Sequence, residues 1–384
     1  MHTLARVVLL TNFIPPYRLP LYRTLAAHVG DLRVLLSTQM EANRQWSVDW
    51  SDLDVVVQRA VTLPHIWKHP QGFHEVQYVH FPYDTLQHLY HYRPSVIISG
   101  ELGLRSLQAL LYRTIQPKTR LVLWVTLSEH TEQNRGRIRD IARRMLFRNA
   151  DAIIVTGHSG AKYVRRFNVP SQRIFPVQNP IDARPFYAMA LNRTPHQAYR
   201  LLYVGRLSSI KGIELLFDAL ERLQQKSPER QPELWLAGTG PLEQHLRQRA
   251  VASALSVRFL GHVPYPLLPQ VYAQAGILVF PSLGDNWGLV VNEAMASGMP
   301  VLGSRYSQAV SELVEDGIHG WTFHPDCPHE FDAALERALG TSLGQLEQMR
   351  SAVREQIRPV TPEAVVAGFL KAITYVMQTH PARP

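Results

Sequence analysis

Two basic side chains between a predicted strand and a predicted helix have the clearest chemical potential. The segment YVGRLSSIKG (Tyr203–Gly212) ends a strand at Gly205 and presents Arg206 and Lys211 before the amphipathic run IELLFDALERL. A glycine lets the backbone approach a ligand closely, and a helix N-terminus flanked by two cations favours a diphosphate. The pattern predicts a diphosphate-binding loop; the alternative is a solvated turn whose cations face only water.

A second segment, FPSLGDNWGLVVNEAMASGMPVL (280–302), runs from a predicted buried strand through a glycine-containing loop into a helix. Asp285 and Glu293 bracket this loop. Glu293 lies about one turn inside the helix, where an ionised carboxylate accepts hydrogen bonds from vicinal hydroxyls. The amides of residues 287–289 are candidate donors to phosphate or sugar oxygens. The alternative makes Asp285 a helix cap and Glu293 a surface residue.

Both halves of the chain alternate short β-branched runs with longer amphipathic stretches, which is typical of βαβ units building a parallel sheet. We therefore predict an α/β protein with two doubly wound, Rossmann-like domains that face a cleft, over residues 1–190 and 198–361. The irregular, proline-containing residues 179–197 are predicted to connect them. The predicted strands are residues 6–10, 32–36, 95–98, 120–125 and 152–155, then 200–205, 233–238, 257–261, 277–282 and 300–303.

Length and composition agree with two ordinary cores, since the chain has 384 residues of which 46% are apolar. A lone cysteine, Cys327, cannot form an internal disulfide and indicates a reducing compartment. The first apolar run stops at Thr11, which is short for a signal peptide, and no run of about 18 apolar residues follows. These features predict a cytoplasmic protein without a membrane span.

The net charge of +9 is unevenly distributed. Residues 1–195 carry a net charge of +11 and residues 196–384 one of −2. A positive field attracts phosphates, an anionic bilayer or nucleic acid. Because the basic residues are not interleaved with a run of aromatics and no nucleic-acid motif is present, we expect no nucleic-acid partner.

The stretch RGRIRDIARRMLFR (Arg135–Arg148) contains six arginines, with apolar residues at helical spacing at Ile138, Ile141, Met145 and Leu146. This pattern predicts a basic amphipathic helix. One interpretation is peripheral contact with an anionic membrane, at the inner face of the plasma membrane. The other is a solvated arginine face above an ordinary core stripe.

Four elements occur in a fixed order in the second half. They are GRL-x(3)-KG at Gly205–Gly212, GTGP at Gly238–Pro241, a G-x-V turn at Gly261–Val263, and the acidic segment Asp285–Glu293 that continues as EAMASGMPV. Together they resemble the nucleotide-sugar half of the retaining, group-one glycosyltransferase family with the GT-B fold. This family includes bacterial polysaccharide and lipopolysaccharide sugar transferases.

The resemblance implies transfer of a sugar from a nucleotide-diphosphate sugar to a glycan or lipid-linked acceptor, in cell-surface polysaccharide biosynthesis, with retention of configuration. Because Arg206, Lys211 and a helix N-terminus can stabilise the leaving diphosphate, and no zinc-protease or P-loop motif is present, we predict no metal and no cofactor. The resemblance also implies that the last helix, at about residues 362–377, packs back on the first domain.

The resemblance assigns Arg206 and Lys211 to the donor diphosphate, Glu293 to the ribose hydroxyls and Asp285 to the transferred sugar. Asp285 is one methylene shorter than the glutamate more common in the family, which leaves the donor sugar open. The implied donor-binding residues are Gly205, Arg206, Lys211, Gly238, Gly240, His262, Val263, Asp285, Asn286, Trp287, Gly288, Leu289, Val290 and Glu293.

The first half offers two loops. The resemblance implies that His130, in the loop after RLVLWV, is catalytic, as Asp285 is. His130 would steer the acceptor or the developing charge, and Glu129 would orient His130. The alternative is an inert loop histidine. In the N-terminal loop, Asn12, Tyr17 and Arg18 are predicted to contact the acceptor, unless Tyr17 packs against a helix.

Two other functions fit part of the pattern. A nucleotide-sugar epimerase or glycan phosphorylase shares the architecture, and a catalytically silent nucleotide-sugar-binding partner of a membrane glycan-assembly complex would keep the same donor site. Activity on the donor alone distinguishes an epimerase. Absence of any transfer, with binding retained, distinguishes the silent protein.

Overall fold

The computed structural model describes residues 3–41, 48–68, 72–100, 102–132 and 136–379. It has two compact units: Met1–Pro180 together with Val360–Pro384, and Ile181–Pro359. The boundary therefore falls at Pro180, at the start of the predicted connection of residues 179–197, so most of that segment belongs to the second unit. The reason is visible at Arg193, whose guanidinium donates to the carbonyl oxygens of Ala275 (2.9 Å) and Tyr272 (3.3 Å), fastening this segment to the second unit.

The secondary structure alternates strands and helices along the chain. The strands are β1 (Thr3–Thr11), β2 (Val29–Leu36), β3 (Asp54–Val57), β4 (Ala60–Lys68), β5 (His74–Pro82), β6 (Val96–Gly100), β7 (Arg120–Val125), β8 (Ala152–Thr156), β9 (Ile174–Val177), β10 (Leu201–Val204), β11 (Leu234–Ala237), β12 (Val257–Gly261), β13 (Ile277–Phe280), β14 (Val301–Ser304) and β15 (Gly320–Phe323). The helices are α1 (Leu19–Ala26), α2 (Thr85–Tyr92), α3 (Leu104–Ile115), α4 (Arg137–Asn149), α5 (Gly157–Arg165), α6 (Arg184–Tyr187), α7 (Pro195–Ala198), α8 (Ile213–Lys226), α9 (Glu243–Ala252), α10 (Leu268–Tyr272), α11 (Leu289–Ala296), α12 (Gln308–Leu313), α13 (Pro328–Gly340), α14 (Leu343–Ile357) and α15 (Pro362–Thr379).

The first unit is built on a parallel sheet of order β3-β2-β1-β6-β7-β8-β9, so all five predicted strands are present. Sequence patterning missed β3 and β9, and it missed the antiparallel hairpin β4–β5. The hairpin escaped detection because most of β4 is exposed, including Pro64, and an exposed strand lacks the alternation of buried and polar residues that signals a half-buried one.

Two apolar layers cover the two faces of this sheet. One contains buried residues of α1 and α15, among them Leu25 and Phe369. The other contains buried residues of α2, α3, α4 and α5, among them Leu89, Ala109 and Leu146. Helices α2 to α5 therefore share one side of the sheet, and their outward faces form one side of the unit.

The second unit has a parallel sheet of order β12-β11-β10-β13-β14-β15, in which only β15 was not predicted. Strands β10 and β13 are neighbours, with Leu201 opposite Ile277. The chain runs outward from this pair in both directions, which makes it the topological switch point of the sheet. Ligands of open α/β sheets bind beyond the carboxyl ends of the strands at such a point.

One helical stretch, Leu343–Thr379, is long and apolar enough to span a membrane by length and composition. A core helix of a globular protein passes the same test. Seven residues of α15 within this stretch lie in the apolar core of the first unit: Val365, Val366, Phe369, Leu370, Ala372, Ile373 and Val376. This packing accounts for the apolar character of α15.

Candidate functional site

The loops that follow β10 and β13 meet at the switch point of the second sheet. The backbone N–H of Leu283 donates to the carbonyl oxygen of Ile210 at 3.0 Å, and the Ser282 hydroxyl donates to the same oxygen at 3.3 Å. A buried serine and a backbone amide thus tie the basic loop to the acidic loop. Two segments 70 or so positions apart in the chain become one site because parallel strands end at the same edge.

Lys211 and Asp285 form an ion pair across these loops, with the Lys211 ammonium donating to Asp285 Oδ2. Their side chains are 28% and 18% exposed, so both are reachable from solvent. Oδ1 of Asp285 also accepts from the backbone N–H of Trp287 at 3.4 Å. The carboxylate therefore pairs with Lys211, and an anionic ligand that binds Lys211 competes with it.

Glycines at two positions allow the loops of the site to pack. Gly212 adopts φ 66°, and a Cβ there would overlap the carbonyl oxygen of Pro281. Gly238 adopts φ 144°, and a Cβ there would overlap the carbonyl oxygen of Gly205. The loops after β10 and β11 thus pack backbone against backbone, and Gly240 likewise lies against the backbone of Leu207. The close approach of a ligand to Gly205 stays a prediction.

Arg206 is exposed on the same loop as Lys211. Tyr203 stabilises this loop, because its hydroxyl donates to the Arg206 carbonyl oxygen at 2.7 Å. Tyr203 is fully buried, and burial raises the pKa of its hydroxyl well above the usual range, so it remains a neutral donor. The structure thus places both predicted cations on one well-supported loop.

Glu293 is only 4% exposed, so the alternative that made it a surface residue is wrong. Helix α11 is buried from Val291 to Ala296, and Glu293 lies within that stretch. Tyr272 donates its hydroxyl to Oε2 at 2.8 Å. Burial raises the pKa of Glu293 to about 7, and the Tyr272 hydrogen bond opposes that rise. Glu293 is therefore a carboxyl group whose charge is poised near neutral pH.

The start of α11 contributes backbone donors. Gly288 is the N-cap residue with φ 102°, and Leu289 and Val290 occupy the first turn, where N–H groups have no acceptor within the helix. Trp287 differs from the prediction: its amide donates to Asp285, and its buried indole donates to Asn292 Oδ1 at 2.8 Å. Trp287 therefore anchors the loop, and the amides of Gly288, Leu289 and Val290 stay the candidate donors to an anion.

The remaining predicted donor residues lie on neighbouring loops of the same unit. Asn286 is exposed, and its carbonyl oxygen accepts from Gln308 Nε2 at 2.5 Å. His262 is exposed and Val263 half-buried directly after β12. The carbonyl oxygen of Gly261 accepts from the Gly238 amide at 2.7 Å, which fixes the turn before His262.

In the first unit, His130 lies in a tight turn after β7. The turn is closed by Ser128 and Thr131, whose hydroxyls accept from each other's backbone N–H groups at 3.2 and 3.0 Å. The carboxylate of Glu129 lies 3.0 Å from Lys162 Nζ and 3.7 Å from Arg166 Nη1, both at or near the end of α5. Glu129 therefore pairs with α5, and its role in orienting His130 stays a prediction.

The predicted acceptor residues of the N-terminal loop follow β1. The carbonyl oxygen of Asn12 accepts from the Thr38 amide at 2.9 Å. Tyr17 lies in a single 3₁₀ turn directly before α1. The Arg18 guanidinium stacks over the buried ring of Trp124, 4.1 Å from its centroid. Arg18 is thereby held against β7, and its position is set by this cation–π contact.

Sequence reasoning missed Tyr203 and Tyr272, two buried tyrosines whose hydroxyls donate hydrogen bonds to residues of the site. Each lies in an apolar run where an aromatic residue looks like ordinary core. Tyr272 precedes Glu293 by 21 positions and meets it only because α10 and α11 pack together. No local signal relates the two residues, although a tyrosine in a buried segment does need a partner for its hydroxyl.

The fold is that of GT-B glycosyltransferases. The lipopolysaccharide outer core galactosyltransferase WaaB superposes with a TM-score of 0.72 at 15% identity, over 96% of this chain and 99% of that one. Anabaena HepE, in complex with UDP, gives a TM-score of 0.73 at 15% identity over the same shares. At such identities the likeness concerns the fold alone.

Sequence comparison relates the second unit to known glycosyltransferases. Residues 198–341 match the family model "Glycosyl transferases group 1". A D-inositol 3-phosphate glycosyltransferase of Corynebacterium aurimucosum is 27% identical over 56% of this chain and 55% of its own length. An uncharacterized glycosyltransferase of Methanocaldococcus jannaschii is 32% identical over 36% of this chain and 35% of its own length.

The resemblance drawn from the four motifs is confirmed: residues 198–341 match the group 1 glycosyltransferase model, and the chain has the GT-B fold. The chain spans about half the length, or less, of the curated relatives it matches. The match covers all fourteen donor-site residues predicted from the sequence and none of the first unit.

Proposed function

We propose that this protein is a glycosyltransferase that takes a sugar from a nucleoside diphosphate sugar and passes it to a glycan or lipid-linked acceptor. The observation that carries the proposal is the meeting of Lys211, Asp285 and the start of α11 at the switch point of the second sheet. The family match over the same residues supports it.

Departure of a nucleoside diphosphate leaves negative charge that must be stabilised. Lys211 exchanges Asp285 for the diphosphate, Arg206 lies on the same loop, and the Leu289 and Val290 amides donate from the helix N-terminus. These groups supply the stabilisation from the protein's own cations and dipoles, so we propose metal-independent transfer without a cofactor.

The proposed donor pose follows from the same elements. Glu293 accepts from the ribose hydroxyls, the backbone near His262 and Val263 meets the base, and Asp285, once released, accepts from the transferred sugar. UDP-glucose is the first donor to test, because Anabaena HepE was solved with UDP-glucose. Retention of anomeric configuration is part of the proposal, carried by the family resemblance.

The first unit is proposed to bind the acceptor. His130 lies after β7, and Asn12 and Tyr17 lie after β1. These two strands flank β6, and ligands of such sheets bind at the carboxyl ends of the strands. We propose a cytoplasmic location and a role in cell-surface polysaccharide assembly, in keeping with the single cysteine and the family resemblance.

The test is a donor screen. Thermal shift with a panel of nucleoside diphosphates and nucleotide sugars, with and without EDTA, is followed by transfer assays to glycan acceptors with any donor that binds. We expect one nucleotide series to stabilise the protein equally with EDTA, and Lys211→Ala to lose that shift. Binding without transfer to any acceptor supports the silent donor-binding protein instead, and no shift with any nucleotide refutes the site.

A further inference from the structure

Exposed apolar side chains concentrate in the first unit. Of the 20 large apolar side chains that are exposed among the described residues, 16 belong to this unit, and 15 of those lie between Val57 and Met145. The same part of the chain carries the excess positive charge. A concentration of exposed apolar surface on a globular unit marks an interaction site.

Helix α4 shows the clearest such surface. Ile138, Ile141 and Met145 are 86%, 68% and 44% exposed, and their spacing places them along one stripe of the helix. Leu146 and Phe147 are fully buried and form the core side. The interpretation of all four predicted apolar positions as a core stripe is therefore wrong, because three of them face solvent.

The basic face of α4 is smaller than the sequence indicates. Arg143 is buried, where it pairs with Glu132 and donates to the Tyr163 hydroxyl at 2.5 Å. Arg144 and Arg148 are exposed and flank the apolar stripe. Arg135 lies outside the described residues. Two arginines of α4 are thus placed beside the exposed apolar stripe.

Helix α3 extends the surface. It lies beside α4 on the same side of the sheet, and Leu104, Leu111 and Ile115 are 38%, 49% and 50% exposed. Helix α3 also contacts β5, where Gln108 Nε2 donates to the Pro82 carbonyl oxygen at 2.9 Å. The hairpin is thereby fastened to the same helix layer.

The hairpin β4–β5 presents apolar pairs to solvent. Val61 lies opposite Phe81 and Leu63 opposite Val79; all four are between 37% and 52% exposed and share one face by alternation. Nearer the tip, Ile66 and Val76 are opposite each other on the other face, at 65% and 47% exposed. The hairpin therefore exposes two apolar pairs on one face and a third pair on the other, and such exposed apolar side chains are suited to a membrane interface.

We propose that the exposed faces of α3, α4 and the hairpin β4–β5 form a docking surface for an anionic lipid bilayer. The apolar side chains enter the boundary between headgroups and acyl chains, and Arg144 and Arg148 meet anionic headgroups. The positive charge argues against a second copy of this chain as the occupant, since two such surfaces repel each other. This inference goes beyond the proposed transfer and does not depend on it.

The test measures how much of the whole protein sediments with lipid vesicles. One set of vesicles is phosphatidylcholine alone, and the other contains 30% phosphatidylglycerol. The salt concentration is about 0.1 M, at which charges within roughly 10 Å still interact. Wild-type protein is expected to bind the anionic vesicles selectively. Neutralising both arginines, Arg144→Gln with Arg148→Gln, weakens binding roughly 30-fold, since each surface arginine contributes about a factor of five. Ile138→Gln with Ile141→Gln weakens it about tenfold or more.

The matched control is Val251→Gln with Arg230→Gln, an apolar and a basic residue exposed on the second unit, and it should bind like wild type. The proposal is overturned if the control variant loses as much vesicle binding as the first-unit variants do. It is also overturned if wild-type protein binds neutral and anionic vesicles equally, or if neither first-unit variant loses binding. A protein that binds no vesicles but self-associates, and stops self-associating in the isoleucine variant, also overturns the proposal. Loss of sugar transfer with vesicle binding intact refutes only the proposed function.

Discussion

The buried carboxyl of Glu293 makes a sharp prediction about pH. Its pKa rises from 4.5 to about 7 on folding because the group is enclosed in the second unit. A carboxyl with a raised folded-state pKa binds its proton more tightly when folded, so the free energy of unfolding falls as pH increases from about 4.5 to about 7. The difference between these values corresponds to about 3 kcal/mol above pH 7.

Glu293→Gln removes the titration while keeping a carbonyl oxygen that accepts from Tyr272. The variant should therefore be more stable than wild type by up to about 3 kcal/mol at pH 8, narrowing to about 1 kcal/mol at pH 5.5. For a unit of this size, a gain of about 3 kcal/mol in the free energy of unfolding corresponds to a rise in Tm of about 6–12 °C. Calorimetry at both pH values measures the difference in Tm. Glu347→Gln, the same substitution at an exposed position of α14, is the matched control.

The same variant should bind nucleotide more weakly, because the ionised carboxylate is the better acceptor for ribose hydroxyls. Wild-type affinity should rise with pH through about 7, and the affinity of Glu293→Gln should be flat. An equal pH slope of stability in the two proteins would refute the assignment of this pKa to Glu293. An unchanged nucleotide affinity would refute its contact with the ribose.

Three further results are expected. Tyr272→Phe removes the donor to the buried carboxylate, so the midpoint of the pH profile of nucleotide binding should move upward, and a change in Tm alone would show that Tyr272 has only a packing role. Lys211→Ala should weaken nucleoside diphosphate binding at least tenfold by calorimetric titration, since a charge-assisted contact contributes about 1.5–3 kcal/mol, and unchanged affinity would place the diphosphate elsewhere. Gly212→Ala should lower Tm by several degrees, because φ 66° and the Pro281 carbonyl oxygen leave no room for a Cβ, whereas Gly344→Ala, with open space around it in α14, should not.

The donor half could be predicted closely because its signals are local. A strand that ends in GRL-x(3)-KG and a loop that ends in a helix start each occupy a few consecutive residues, and their chemistry follows from order and spacing. Lys211 and Asp285 were predicted for one ligand, and the structure shows them in contact with each other. The sequence could not reveal this ion pair, because it depends on two loops crossing one sheet edge.

Burial was the main quantity that the sequence did not decide. Ile138, Ile141 and Met145 have the spacing of a core stripe but face solvent, since α4 uses Leu146 and Phe147 to cover the sheet. Glu293 has the residue type of the surface but lies inside. In both cases the helix period fixed which residues share a face, and only packing fixed which face is turned inward.

By itself, the sequence determined the α/β class, ten of the strands and the residue types of the donor loops. These depend on periodicity and on short motifs that fold the same way wherever they lie. Tertiary structure alone decided the Tyr272–Glu293 bond, the pairing of Glu129 with α5 and the exposed apolar surface of the first unit. The physical reason is that hydrogen-bond partners and solvent exposure arise between segments distant in the chain, and no local pattern encodes which segments meet.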